Sequence, residues 1–222
     1  MHAAMSSSPA GTPERTVVQA DAIAWLRTQT LPATAAIVTS LPDASEFGHR
    51  DAARWRPWFV DAAELVLRST PPATAAIFYQ TDVKRDGAWT DKAFLVQLAA
   101  ERAGVPLLWH KVVCRAPAGQ ATFGRPGYAH LLCFAANVRD AVEHATADVL
   151  PELGAMPWAR AMGVAAARFA VAWLRDRAGA RCIVDPFCGV GTALAAANEA
   201  GLAAIGVERN PGRAERARTL QL

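Results

Sequence analysis

Residues 180–210, ARCIVDPFCGVGTALAAANEAGLAAIGVERN, constrain this chain more than any other stretch. An apolar run of strand type enters Asp185, a turn carries Gly189 and Gly191, an alanine-rich helix follows, and a second apolar strand ends at Glu208. Strand, glycine turn, helix and strand in succession form a unit that builds parallel sheets covered by helices. Glycine lets the backbone turn tightly and approach a ligand with no side chain in the way, and the helix opening near Thr192 offers free N–H groups. Glu208 is expected to face the same crevice, where a carboxylate accepts hydrogen bonds from both hydroxyls of a ribose. Two details turn the motif away from a dinucleotide: no third glycine follows at the helix-packing position, and the strand ends in Asp185-Pro186-Phe187, whose carboxylate can hold an ammonium group.

The rest of the chain repeats the alternation. TVVQAD, TAAIVTSLPD, TAAIFYQTD, PLLWHKVVC, YAHLLCFAAN, RCIVDPF and AAIGVE read as strands, and 51–69, 91–104, 156–178, 191–200 and 211–220 as helices. In 156–178, Trp158, Met162, Ala165, Phe169 and Trp173 share one helical face. The two apolar runs of 106–137 are joined by RAPAGQATFGRPG without a helical pattern, which predicts an antiparallel hairpin. The expectation is α/β: a seven-stranded, mainly parallel sheet with one antiparallel strand, in a single domain over 16–222 preceded by a disordered tail over 1–15.

Composition narrows the function. Of 222 residues 52% are hydrophobic and 19% charged, yet no charge-free apolar run reaches the roughly 18 residues of a membrane span. The first residues lack the pattern of a secretory signal, so a cytoplasmic location is expected. Cys114, Cys133, Cys182 and Cys188 show neither zinc-site nor disulfide spacing and read as reduced thiols; no metal site is read. The net charge of +3 does not demand a polyanionic partner, but no acidic residue occurs between Glu101 and Asp140, and Lys111, Arg115 and Arg125 in that stretch are the expected substrate-facing cations.

DPFCGVGT followed by IGVERN resembles the cofactor motifs of S-adenosylmethionine-dependent methyltransferases, in particular those that methylate exocyclic amines of bases in nucleic acids, whose usual pattern is DPFxGxGT. The resemblance implies that Asp185, Pro186, Phe187, Gly189, Gly191 and Thr192 surround the methionine end of S-adenosyl-L-methionine and that Glu208 grips its ribose. Cys188 reads as packing within that loop. VVQADAIAWL is similar to the family's GDxxxxL segment, which would bring Asp21 to the adenine amine, and TAAIVTSLPD to the strand leading into its (D/N/S)PP(Y/F/W) catalytic loop. The catalytic strand comes first and the cofactor loop last, an order known among permuted DNA amino-methyltransferases. It predicts that the strand beginning at Thr16 pairs with the one ending at Glu208 and that the two ends of the domain are neighbours.

The departure is at the reaction centre, where Ser40-Leu41-Pro42-Asp43 replaces Ser-Pro-Pro-aromatic. Ser40 and the Leu41 carbonyl remain able to polarise an amine, and Pro42 shapes the loop. Asp43 cannot stack on a base; it reads as a proton acceptor or as the cap of the following turn. Phe47, Trp55, Trp58 and Trp89 are alternative stackers that read equally as core, and His49 and His110 as structural. The expected activity is methyl transfer to a nucleic-acid base, with RNA (tRNA or rRNA) preferred because no stretch remains for a sequence-reading domain; a homodimer is compatible with this. The alternatives are a protein or small-molecule acceptor, a DNA amino-methyltransferase, and a catalytically silent cofactor-binding subunit.

Overall fold

The computed structural model describes residues 13–46, 52–85 and 87–222. In chain order the elements are β1 (Arg15–Val18), α1 (Ala22–Thr28), β2 (Ala35–Thr39), α2 (Ala52–Ser69), β3 (Ala76–Gln80), β4 (Val83–Arg85), β5 (Ala88–Thr90), α3 (Lys92–Ala103), β6 (Leu107–Cys114), β7 (Tyr128–Phe134), β8 (Val149–Leu150), α4 (Val164–Arg177), β9 (Cys182–Asp185), α5 (Thr192–Glu199), β10 (Ala203–Val207) and α6 (Pro211–Thr219). Most of the expected tail, Phe47 and His49 lie outside the described residues; Arg15, expected in the tail, already belongs to β1.

Among the described residues one sheet runs β1-β10-β9-β2-β3-β7-β6-β8, and β4 and β5 form a separate ribbon. Only β7 opposes the rest, pairing antiparallel with both β3 and β6. The short β8, which pairs parallel with β6, is an eighth strand that the sequence did not announce, since two residues carry no periodic pattern. The central β2, β3 and β9 are buried at every position because helices cover both faces. One core joins the sheet to α1, α2 and α3, the other to α4, α5 and α6.

The permuted order is present. β1 pairs parallel with β10, Val17 opposite Gly206, and Arg15 Nη1 donates to the carbonyls of Ala217 (3.1 Å) and Leu220 (2.7 Å), so the end of α6 lies beside the start of β1.

The helix expected over 156–178 begins only at Val164. Its first turn is already capped by another segment: Ala165 N–H donates to the Leu153 carbonyl (2.9 Å) and Val164 N–H to that of Ala155 (2.9 Å). Two glycines permit the crossing, because a Cβ on Gly163 would lie 2.1 Å from the Leu153 oxygen and one on Gly154 2.6 Å from Ala165 N. Residues 156–163 are thereby turned away from the helix axis and over the carboxyl end of the sheet, so the helical spacing of Trp158 and Met162 with Phe169 is not realised. The short α1, capped by Asp21, is a helix that the sequence reading left unassigned.

Candidate active site

Parallel strands deliver the residues after their carboxyl ends to one edge of a sheet, and here they surround a cavity of about 200 Å³. Asp21 follows β1, Ser40-Leu41-Pro42-Asp43 follows β2, Thr81 follows β3, Asp185 ends β9 and Glu208 follows β10, and all line the cavity. The cofactor residues expected from the sequence thus converge, with Gly191 as the exception.

Asp185 is buried. Its Oδ1 accepts from the Thr39 hydroxyl (2.7 Å) and the Phe187 N–H (3.1 Å), and among the described residues no cation pairs with it. Burial pushes its carboxyl up to about 7, against the pull of those two donors, and the nearby Glu208 pushes the same way. Such a carboxylate is matched to an ammonium group, which would supply the missing cation. Glu208 Oε1 accepts from Asn210 N–H (2.6 Å) and pairs with Arg213 (3.1 Å). Both contacts use the same oxygen, and neither occupies the other. Burial drives the Cys188 thiol far up, consistent with packing rather than nucleophilic work.

The two motif glycines have different tasks. Gly189 (φ +55°) would carry a Cβ into open space, so its smoothness leaves room in the cavity. Gly191 (φ +88°) would put a Cβ 2.9 Å from the Ala217 Cα, so it lets α6 pack on the turn and does not line the cavity. Gly191→Ala is therefore expected to cost roughly 2–4 kcal/mol, from positive φ and overpacking together, whereas Gly189→Ala costs about 1 kcal/mol in stability and shows its larger effect in ligand affinity. Thermal melts paired with ligand titration separate the two.

The side of the cavity that the sequence assigns to an acceptor is formed by β2, β3 and the β6–β7 hairpin. The Asp43 carboxylate does not cap the following 3₁₀ turn, Ala44–Glu46, which closes by Glu46 N–H donating to the Asp43 carbonyl (2.8 Å). Instead Oδ1 pairs with the buried ammonium of Lys92 and Oδ2 with Arg125 (3.1 Å). The cap reading is thus replaced by a clamp that joins the β2 loop to α3 and to the β6–β7 hairpin. Burial lowers the Lys92 ammonium below its usual range, with Asp43 opposing. Pro42 is fixed through its carbonyl, which accepts from Trp55 Nε1 (3.1 Å). Trp55 is buried against Phe59 (ring centroids 5.1 Å), and Trp58 lines the cavity edge-on to Phe187 (6.2 Å). Of the possible stackers, Trp58 alone among the described residues reaches the cavity.

Arg115 and Arg125 line the cavity, but Lys111 does not. Strand alternation puts Lys111 with Trp109 and Val113 on the buried face of β6, where its ammonium donates to the Thr146 carbonyl (3.0 Å) and Asp148 (3.1 Å) and anchors the approach to β8. Its expected place beside the substrate is corrected accordingly.

Several lining residues carried no local signal. Lys92 is placed by Asp82, which accepts its N–H (2.8 Å) and contacts His130 Nε2 (3.0 Å). Burial works to raise the Asp82 carboxyl, but His130 and Lys92 together bring it below its usual range. Asp82, Asp91 and His130 bring ligand-type atoms within 4.8 Å of one another, a grouping the sequence did not disclose; Asp91 also caps α3 through Phe94 N–H (2.8 Å). Arg213 joins Glu46 (3.3 Å) to Glu208 and lies 5.5 Å from the ring centroid of Trp158, tying three distant segments around the cofactor side.

The sequence matches no protein-family model and no curated protein. Solved structures do match. A Thermus thermophilus protein described as a candidate DNA modification methylase, crystallised with S-adenosyl-L-methionine, is 19% identical, with 92% of each chain covered and a TM-score of 0.70. PvuII DNA methyltransferase, cytosine-N4-specific, is 14% identical over 94% of this chain and 87% of its own, with a TM-score of 0.73. M1.HpyAVI in complex with the same cofactor is 14% identical over 92% of this chain and 98% of its own, with a TM-score of 0.61. Strand order, the single antiparallel β7 and these superpositions together give the chain the Rossmann-like α/β methyltransferase fold.

Proposed function

We propose that this chain is an S-adenosyl-L-methionine-dependent methyltransferase acting on an exocyclic amine of a DNA base. The observation that carries the reading is the convergence, in one cavity, of a cation-free buried carboxylate at Asp185, a second carboxylate at Glu208, the open turn at Gly189 and the loop Ser40–Asp43. Asp185 suits the ammonium of the cofactor, Glu208 its ribose hydroxyls, and Asp21 and Trp158 flank the same side. The bound cofactor supplies an activated methyl group. The protein's share of the chemistry is to align the acceptor and take up hydrogen bonds from its N–H groups, here through the Ser40 hydroxyl and the Leu41 carbonyl. The preference for RNA drawn from the sequence gives way to DNA, because the Thermus thermophilus protein and PvuII methyltransferase, which superpose on this chain, are both described as DNA-modifying. Among the described residues no helix is long and apolar enough to cross a membrane.

Incubation with methyl-labelled cofactor and separate DNA, RNA and protein fractions tests the proposal. Label in DNA, recovered on hydrolysis as an N-methylated base, is the expected outcome; label confined to RNA or protein would overturn it. A second reading, a silent cofactor-binding subunit, is favoured by the Asp43 clamp, which occupies both oxygens of the carboxylate with Lys92 and Arg125. Cofactor binding without transfer to any fraction would select it.

A further inference from the structure

The chain contains 17 aromatic residues, seven Trp, two Tyr and eight Phe. Among the described residues only four expose their rings: Trp89 (54%), Phe94 (52%), Phe123 (fully) and Tyr128 (41%). All four lie on three neighbouring segments: the β4–β5 ribbon, the first turn of α3 and the β6–β7 hairpin. Each is also within three residues of a cation at the acceptor end of the cavity, Trp89 and Phe94 flanking Lys92, Phe123 and Tyr128 flanking Arg125. The segments meet in space: the Tyr128 ring lies 5.3 Å from that of His130, whose Nε2 contacts Asp82 (3.0 Å), which accepts the Lys92 N–H at the start of α3 (2.8 Å).

This face is positively charged as well as aromatic. The Lys84 ammonium lies 5.8 Å from the ring centroid of Trp89, Arg115 meets only the Thr81 hydroxyl (3.4 Å) among the described residues, and Arg125 is partly exposed. From Arg115 through Arg139 the chain has no carboxylate. Among the described residues the acids that approach are engaged: Asp43 by Lys92 and Arg125, Asp82 by His130 and the Lys92 N–H, Asp91 by the Phe94 N–H. Exposed rings interleaved with cations, of which Lys84 and Arg115 face no carboxylate among the described residues and Arg125 keeps part of its surface exposed beside Asp43, match a ligand that alternates flat π-faces with phosphates. A duplex buries its base faces in its own stack, so these rings could not use it; an unpaired strand offers every base.

We propose that single-stranded DNA docks on this face, its bases stacking on Trp89, Phe94, Phe123 and Tyr128 and its phosphates meeting Lys84, Arg115 and Arg125, so that the strand runs past the acceptor end of the cavity. The proposal rests on the DNA-methylation reading for its orientation, but its test does not require turnover.

Fluorescence anisotropy with a labelled single strand of about a dozen nucleotides, its duplex and the matching RNA strand reads the face directly. The single DNA strand should bind at least tenfold tighter than the duplex and no weaker than the RNA strand. Phe123→Ala and Trp89→Ala should each weaken it about tenfold, and Arg115→Ala should reduce the salt dependence by about one counterion. Equal or tighter binding of the duplex, tighter binding of the RNA strand, or affinities unmoved by both aromatic substitutions, overturns the proposal. Calorimetry with S-adenosyl-L-methionine on the same proteins keeps the two readings apart. Strand affinity lost in Phe123→Ala with cofactor affinity intact supports the face, and strand binding by a protein that takes no cofactor would retain the face while removing the methyl-transfer reading.

Discussion

Asp185→Asn should abolish measurable binding of S-adenosyl-L-methionine and, at pH 8, raise the melting temperature of the unliganded protein by about 5 °C. Both effects come from one buried carboxylate. Its folded value of about 7 lies above the ordinary 3.8, because burial disfavours the charge more than the Thr39 hydroxyl and Phe187 N–H favour it. The sign follows from proton binding: between the two values the folded state holds more protons than the unfolded one. The contribution of Asp185 to stability is therefore greatest below about pH 4, falls as pH rises through about 7, and above that amounts to a penalty of roughly 3–5 kcal/mol. The neutral amide removes most of the penalty, less the cost of its own unpaired N–H₂. In the parent, cofactor affinity should rise about tenfold per pH unit towards 7 and decline above about pH 8, where an α-amino group loses its proton. Calorimetry and thermal melts at several pH values read both; an Asn variant that binds like the parent would remove Asp185 as the ammonium's partner.

Asp43→Asn should be destabilising, by about 3–5 kcal/mol or about 10 °C in melting temperature, because it leaves the buried Lys92 ammonium without its carboxylate. A cap residue would behave otherwise, since Asn caps as well as Asp. Lys92 is already held below its usual range by burial. A base depressed in the folded state adds stability as pH rises, so the deficit of the variant should shrink under alkaline conditions as Lys92 gives up its proton. Adding Lys92→Met to Asp43→Asn should recover most of the melting temperature. With an exocyclic amine held by Ser40 and the Leu41 carbonyl, turnover in the double variant should recover along with the melting temperature; a loss of about a hundredfold that persists would instead assign Asp43 to the acceptor.

The legible part of this protein was local. Residues 180–210 declared a strand, a glycine turn, a helix and a strand, and the structure contains β9, α5 and β10 there. The order of motifs declared the permutation, and β1 pairs with β10. The same local logic misled at 156–163, where Trp158 and Met162 have helical spacing but Gly154 and Gly163 let another segment take the first N–H groups of α4. The glycines were visible; the crossing that needed them was not.

What the sequence determined by itself is whatever depends on neighbours a few residues away: strand and helix periodicity, the turn at Gly189, the placement of Asp185 and Glu208 at strand ends, and so the fold and the cofactor side of the cavity. The partners of the residues on the opposite side, expected to face an acceptor, were decided by tertiary structure. Asp43 meets Lys92 across 49 residues and Arg125 across 82, while Arg213 gathers Glu46 and Trp158 from different segments. Lys111 and Arg115, four residues apart on one acid-free stretch, would share a face in a continuous strand; they part company because β6 ends at Cys114, so that Lys111 stays on its buried face while Arg115, past its end, lines the cavity. Charge in a sequence has no direction; a side chain acquires one from the strand face and the partners that the sheet order brings beside it.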